Sequence, residues 1–362
     1  MNQIKVLVLG AGAPSGVNFI KSLLLKNIIC YGTDSNKYHI HLAQPYTHQT
    51  FLVPRCTHAD YINSINRIIE NNDIDFVHPQ SSVQVKVISE NRNKIKCKIF
   101  LPKKETIEIC QDKMASALIW WTNGLCKEPI SIDIRAGLVK QEIKYALDKY
   151  NKIWLRATEG AGGRGSTPVE NVETGYHWIR YWRSKDWQKN SFWEQWEWMA
   201  QPYLPGRNIA WHSLWKDGKL IISQARERLE YIYPYLAPSG ITGTPVVQRT
   251  LNEGKINLIA ESSVLAIDKK PNGIFCVDLK EDKDGKPIPT EINAGRFFTT
   301  SFFFSELGRQ CGIERANMPY LYLLLGLDRE IPKGNKYNIL PDNIYWIRHI
   351  DIPAKIIYGD DL

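Results

Sequence analysis

The sequence predicts an α/β protein, with an open parallel sheet in the leading hundred residues and a second unit of different character behind it. Three observations carry that expectation. Short apolar runs alternate with amphipathic segments up to about residue 103. Beyond that point the rhythm breaks, and strands run into glycine-rich turns. Finally, 362 residues are enough for two or three compact units, with an ordinary globular composition of 43% hydrophobic and 23% charged residues.

The elements follow in order. IKVLVLG (4–10) reads as a buried parallel strand, because an apolar run that ends in glycine suits a sheet covered on both faces. GAGAPSG (10–16) leads into a helix that places Val17, Ile20 and Leu24 on one face. A second strand, 28–33, ends at Asp34. A helix over 60–70 turns Tyr61, Ile65, Ile68 and Ile69 inward, and strands are expected at 74–79 and 97–102. Next come a helix near 105–120, another at 135–149, and the strand and turn IWLRATEGAGGRGSTPV (153–169). A tryptophan-dense stretch, a helix at 254–267 and a hairpin at 273–293 follow. The tail, 331–362, is expected to pack on the core and to add a strand or a strap.

Composition excludes several classes. No apolar run approaches the ~18 residues of a membrane span, and MNQIKVLVLG lacks a signal peptide's layout, so a cytoplasmic protein is expected. The seven cysteines are odd in number, scattered and without C-x-x-C, which suits reduced thiols. The net charge of +8 comes from 46 basic residues spread among 38 acids, with no run of five like charges. A mildly basic surface is expected, with neither nucleic acid nor membrane as partner.

Two glycine clusters carry different weight. Gly10, Gly12 and Gly16 miss the G-x-G-x-x-G spacing of a dinucleotide site by one residue, and Asp34 could hold a ribose hydroxyl or cap a helix. Gly160, Gly162, Gly163 and Gly165 fall within six residues after a strand, with Arg156 before them and Arg164 and Ser166 among or after them. Successive residues without Cβ let backbone N–H groups converge on an anionic oxygen, and the arginines add charge suited to phosphate.

The hairpin is sharper. A two-residue Asp284-Gly285 turn would pair Lys283 with Lys286 and, in that register, set Asp278 opposite Glu291. Cross-strand Cβ atoms lie about 4.5–5.5 Å apart, where like charges destabilise a sheet. With Asn293 on the same face, the three become favourable around a hard cation such as Mg2+. The alternatives are a solvated acidic patch or a shifted register. Arg296 could reach a phosphate or pair with a surface acid.

In motif order, these residues resemble the ATP-grasp superfamily, and within it the carbamoyl-phosphate-synthase-like branch, over roughly residues 4–310. VLVLGAGAPSG and GTD resemble the leading, pre-ATP-grasp domain. Asp112-Lys113 resembles the start of the grasp domain, IWLRATEGAGGRGS its glycine loop, and FCVDL with TEINAGRF its paired magnesium strands. WMAQPYLPGRNIAWHSLW (198–215) resembles the hinge that carries adenine, with Gln201 and Asn208 standing where the family commonly has acids.

The resemblance implies a leading domain at 1–103 and a grasp domain of two α+β lobes at 104–330. The small lobe would cover about 125–200 and the hinge 198–208. It implies ATP held by Lys113, Arg156, Gly160, Gly162, Gly163, Arg164, Gly165, Ser166, Gln201, Tyr203, Leu204 and Asn208. Mg2+, with Mn2+ as a substitute, would be held by Asp278, Glu291 and Asn293, and Arg296 and Arg228 would act in catalysis. The implied activity is a ligase that activates a carboxylate as an acyl phosphate and joins it to an amine or ammonia, a homodimer being compatible. The alternatives are a standalone half acting on bicarbonate or carbamate, and a non-catalytic nucleotide-binding protein. Arg226 and Arg228 form either a second anion site or surface pairs with Glu227 and Glu230. The tryptophans between 178 and 215 read as core of the small lobe. His39, His41, His48 and His58 read as loop residues.

Overall fold

The computed structural model describes residues 3–135, 137–160, 163, 165–184, 197–350 and 352–361. Four strands, β1 (Lys5–Leu9), β2 (Ile29–Asp34), β3 (Gln49–Leu52) and β4 (Phe76–Pro79), form a parallel sheet in the order β3-β2-β1-β4. The apolar run of β1 is central and buried on both faces, which is why it carries no alternation. The expected strand at 97–102 is reduced to an isolated bridge between Lys98 and Phe76.

A second sheet is antiparallel, in the order β5-β8-β6-β7: β5 (Ile130–Ile132), β6 (Ile153–Ala157), β7 (Thr167–Val169) and β8 (Trp198–Pro202). The helices Val139–Tyr150 and Val172–Arg183 share a core with it built on Ile143, Ile153, Leu155 and Trp198. Trp178 and Trp182 pack against that core, whereas Trp187, Trp193 and Trp196 lie outside the described residues.

The third sheet has seven strands in the order β13-β12-β9-β10-β11-β14-β15, its pairs all antiparallel. They are β9 (Asn208–Lys216), β10 (Lys219–Tyr231), β11 (Pro245–Leu251), β12 (Gly273–Glu281), β13 (Pro287–Ala294), β14 (Ile344–His349) and β15 (Ile352–Tyr358). The tail thus extends this sheet by a hairpin. The helix Gly254–Ile267 covers one face through Ile256, Ala260 and Val264, packed with Trp211, Trp215 and Val277. The helices Ser301–Gln310 and Met318–Gly326 join the other face to the leading sheet through Phe303, Tyr322, Val6 and Val8.

The helix expected near 105–120 is two helices, Lys104–Gln111 and Lys113–Thr122. Asp112 breaks the run because its side chain caps the second helix, accepting from Met114 N at 2.8 Å and Ala115 N at 3.1 Å. At the first glycine cluster, Asp34 accepts from Gly12 N (3.2 Å) and Asn36 N (2.9 Å), so it closes its own turn. A Cβ on Gly12 would sit 2.1 Å from the His39 carbonyl oxygen. Gly12 and Gly16 thus serve close packing against backbone, and Gly10 faces the Gln84 side chain. Gly12→Ala is therefore expected to cost about 3 kcal/mol or more, seen as a lower midpoint in thermal unfolding.

Candidate active site

The site lies where the β12–β13 hairpin meets the start of the helix Lys113–Thr122 and the end of β6. Asp278 stands directly opposite Glu291, and Asn293 lies two residues further along β13 on the same face. This register has an unexpected origin. The connection is a three-residue loop, with Asp282 N bonded to the Lys286 carbonyl at 3.0 Å and Gly285 at φ 73°, so the pairs near the turn are shifted by one from expectation. A bulge at Thr290 shifts them back, and two departures from the predicted pairing cancel at the acids.

The bulge frees the Thr290 carbonyl, which accepts from Arg156 Nη2 at 2.6 Å. Arg156, 5% exposed, also donates to Gln201 Oε1 at 2.7 Å. One guanidinium therefore ties the second sheet to the third. Lys113 is 7% exposed and donates from Nζ to the Gly160 carbonyl at 2.8 Å, so the first residue of the capped helix touches the glycine loop. Among the described loop residues, Gly160, Gly163 and Gly165 have φ of 109°, 70° and 72°. Gly163 approaches the turn after β10 so closely that a Cβ there would lie 2.9 Å from the Ile241 carbonyl oxygen. Gly162 and Arg164 lie outside the described residues, and Ser166 N bonds the Gly163 carbonyl at 3.2 Å.

A cavity of about 40 Å3 is bordered by Lys113, Gly160, Glu291, Asn293 and Arg296. That is room for an ion or a few waters. The three expected ligands differ in readiness. Glu291 makes no hydrogen bond or ion pair among the described residues. Burial alone would raise its pKa, but Lys113, Arg156 and Arg296 outweigh burial and hold it below the usual carboxylate range. Asp278 is raised by burial, against the pull of Arg228, whose Nη2 donates to Asp278 Oδ1 at 2.7 Å. The Asn293 amide oxygen accepts from Arg296. The oxygen donor set fits Mg2+, but two of its members are held by guanidiniums, a departure from three groups free to share one ion. Desolvation of the cations points the same way, since burial lowers the pKa of both Lys113 and Arg156.

No protein-family model matches this chain, and no curated protein matches it by sequence. Solved structures do. The biotin carboxylase domain of Hydrogenobacter thermophilus 2-oxoglutarate carboxylase, solved as a dimer with MgADP, ADP and bicarbonate, superposes with a TM-score of 0.69 at 14% identity, over 96% of this chain and 74% of that one. Carboxyaminoimidazole ribonucleotide synthase from Aspergillus clavatus, complexed with ATP, gives 0.69 at 15% identity, over 95% and 81%. L-amino acid ligase from Bacillus licheniformis gives 0.67 at 14% identity, over 95% and 80%. The chain has the ATP-grasp fold.

The segment between β8 and β9 joins the second sheet to the third. Gln201 is turned inward to Arg156, and Tyr203 N bonds the Lys152 carbonyl at 3.0 Å, with the Lys152 ammonium 4.3 Å from the Tyr203 ring centre. Leu204 is half-buried. Asn208 opens β9, donating to Tyr231 Oη at 2.8 Å and accepting from Arg228 at 3.3 Å. Strand alternation settles the second cationic pair. Arg226 and Arg228 share the site face, while Glu227 points to the other face and pairs with Arg249 at 2.7 Å.

Sequence reasoning missed Arg207. It donates to Glu281 at 2.6 and 2.7 Å and to Glu253 at 2.6 and 3.0 Å, fastening the β8–β9 connection to the end of β12. The signal was Gly206, where a Cβ would lie 2.6 Å from that of Glu281. Hydrogen bonds from Arg207 hold Glu253 and Glu281 below the usual carboxylate range. Carboxylates with depressed folded pKa values contribute stability above the ordinary value near ~4.3 and lose it as pH falls through the folded ones. Arg207→Met is expected to destabilise by about 3 kcal/mol at pH 7. Denaturant titrations across pH should show that gap narrowing below about pH 4.

Proposed function

We propose that this chain is an ATP- and Mg2+-dependent ligase that activates a carboxylate as an acyl phosphate and joins it to an amine or ammonia. The observation that carries the reading is Glu291, a carboxylate facing Asp278 with no partner of its own among the described residues, inside a cleft ringed by cations. A half-buried charge left without a direct partner is costly unless a further ligand completes it. The nucleotides present in the structural neighbours, ATP in one and MgADP in another, support the same reading.

Bound Mg2+, or Mn2+ in its place, would neutralise phosphate oxygens, the main electrostatic demand of phosphoryl transfer. Asp278, Glu291 and Asn293 would hold it. Lys113, Arg156 and the loop 160–166, including Gly162 and Arg164, would hold the phosphates. Gln201, Tyr203 and Leu204 would border the base, and Asn208 the ribose. Arg228 and Arg296 would turn from Asp278 and Asn293 toward the negative charge that develops on transfer, so each charge changes partner without being left unmatched. The domain division 1–103, 104–330 and 331–362 belongs to this proposal, as does a homodimer, supported by the dimeric biotin carboxylase domain.

A second reading, a non-catalytic nucleotide-binding protein, is favoured by one observation: guanidiniums already occupy Gln201, Asp278 and Asn293. The experiment that separates the two is calorimetry with Mg2+ and ATP, followed by an ADP-release assay over panels of carboxylates and amines. Glu291→Gln and Asn293→Ala are expected to cut ADP release about 100-fold or more, with thermal midpoints near that of the parent. Undiminished release by either variant overturns the ligase reading. Tight Mg–ATP binding with no ADP formed over the whole panel supports the second.

A further inference from the structure

Behind Arg228 the third sheet carries a set of buried polar groups that the nucleotide and cation machinery does not use. Gln248 lies opposite Arg228 on one side and opposite Trp346 on the other, so these three form one row across β10, β11 and β14. Arg226 and Arg348 lie two residues away along β10 and β14, on the same face and diagonal to Gln248. Cross-strand neighbours of that kind are about 4.5–8 Å apart.

Gln248 is fully buried, yet neither its Oε1 nor its Nε2 has a hydrogen-bond partner among the described residues. Exchanging the two amide atoms would change nothing, since both are orphaned. Arg226 is 1% exposed and its Nε is unpartnered, as are Trp346 Nε1 and Arg348 Nη2. Ser301, at the start of the helix Ser301–Gln310, leaves its hydroxyl unpartnered too. More of the chain's orphaned buried polar atoms fall in this patch than anywhere else among the described residues. Aromatic rings wall it: Phe298 lies 5.2 Å from the Arg226 guanidinium and 5.4 Å from that of Arg228, and Phe303 stacks on Trp346 at 5.2 Å. Among the described residues Arg226 has no carboxylate within ion-pair distance, and it donates to His212 Nε2 at 2.9 Å.

Buried polar groups are almost always satisfied, so such a concentration calls for a missing partner. The inventory says what that partner offers. Two guanidiniums, an indole N–H and an amide N–H are donors, which asks for an anionic oxygen pair. Gln248 Oε1 is an acceptor beside them, which asks for one N–H. We propose that this is the acceptor pocket of the ligase and that it takes an α-amino acid, its carboxylate held by Arg226 and Arg348 and its amino group by Gln248. Strand β14 of the tail thereby completes the site. Arg228, bonded to Asp278, joins the pocket to the cation face. The inference rests on the ligase reading above for its role in a reaction, but not for its binding chemistry.

The test uses the full chain. Mg2+ with a non-hydrolysable ATP analogue is titrated first by calorimetry, which reports on the nucleotide reading alone. The twenty proteinogenic L-amino acids are then screened by thermal shift with the analogue present. Each hit is compared with its decarboxylated amine and its 2-hydroxy acid. At least one amino acid should raise the midpoint by roughly 2–5 °C at saturation, and neither analogue should match it. Arg348→Gln should weaken that amino acid by about 10-fold or more. Gln248→Leu should abolish the shift while its own ligand-free midpoint equals or exceeds the parent's, because an apolar side chain of similar size leaves no orphaned amide. The proposal is overturned if no amino acid binds, if the 2-hydroxy acid binds equally well, or if Gln248→Leu lowers the ligand-free midpoint, the mark of a water-filled structural cluster. Absence of analogue binding alongside amino-acid binding would overturn the ligase reading and leave the pocket standing.

Discussion

Two carboxylates facing each other across a pair of strands set the terms for the rest of this molecule. Asp278 and Glu291 cannot both stay ionised at that separation in a half-buried cleft unless positive charge is brought to them. The chain supplies it from four places distant in sequence: Lys113 at a helix start, Arg156 at a strand end, Arg228 in mid-strand and Arg296 after the hairpin. The two acids feel this unequally. Burial dominates at Asp278, while cations prevail at Glu291. Neighbouring carboxyls pushed in opposite directions are a common mark of sites where charge is handled in a reaction.

The same electrostatic demand organises the lobes. Arg156 satisfies an amide on its own sheet and a carbonyl on another, and that carbonyl is free because Thr290 is an extra residue in its strand. A bulge that looks like a flaw in pairing thus provides an anchor between lobes. Arg207 does a parallel job beyond β8, pulling Glu253 and Glu281 to the loop between β8 and β9. The leading sheet enters through Gln80, whose side chain accepts from Phe297 N at 3.1 Å and donates to the Ser15 carbonyl at 2.7 Å. The carboxyl end of the parallel sheet is thereby fixed against the segment that carries Arg296.

Much of this was legible beforehand, for identifiable reasons. The continuous apolar run of β1, the helix Gly254–Ile267 and the shared face of Glu291 and Asn293 all depend on local pattern, which a sequence displays. The break at Asp112 was less visible, because a single capping side chain overrode a continuous helical pattern. The strand at 97–102 failed for want of a partner, since only Lys98 reaches β4. The dinucleotide-like glycines misled in a different way. Their lack of Cβ is needed by the His39 carbonyl and by neighbouring backbone, and a one-letter code does not distinguish a glycine kept for a ligand from one kept for packing.

The order of elements, the common face of Glu291 and Asn293, and the opposite sides taken by Arg226 and Glu227 follow from a side-chain period of two, and the amino-acid order alone determines them, whereas Asp278 meets that face only through the bulge at Thr290. Which cation meets which acid could not be read there, because Arg228 reaches Asp278 across fifty residues and Arg156 reaches Thr290 across more than a hundred. Nor could the place of the tail, whose strand β14 brings Trp346 beside Gln248 only once the seven-stranded sheet has formed. Contacts between segments far apart in the chain are set by sheet order and burial, and these exist only in the folded molecule.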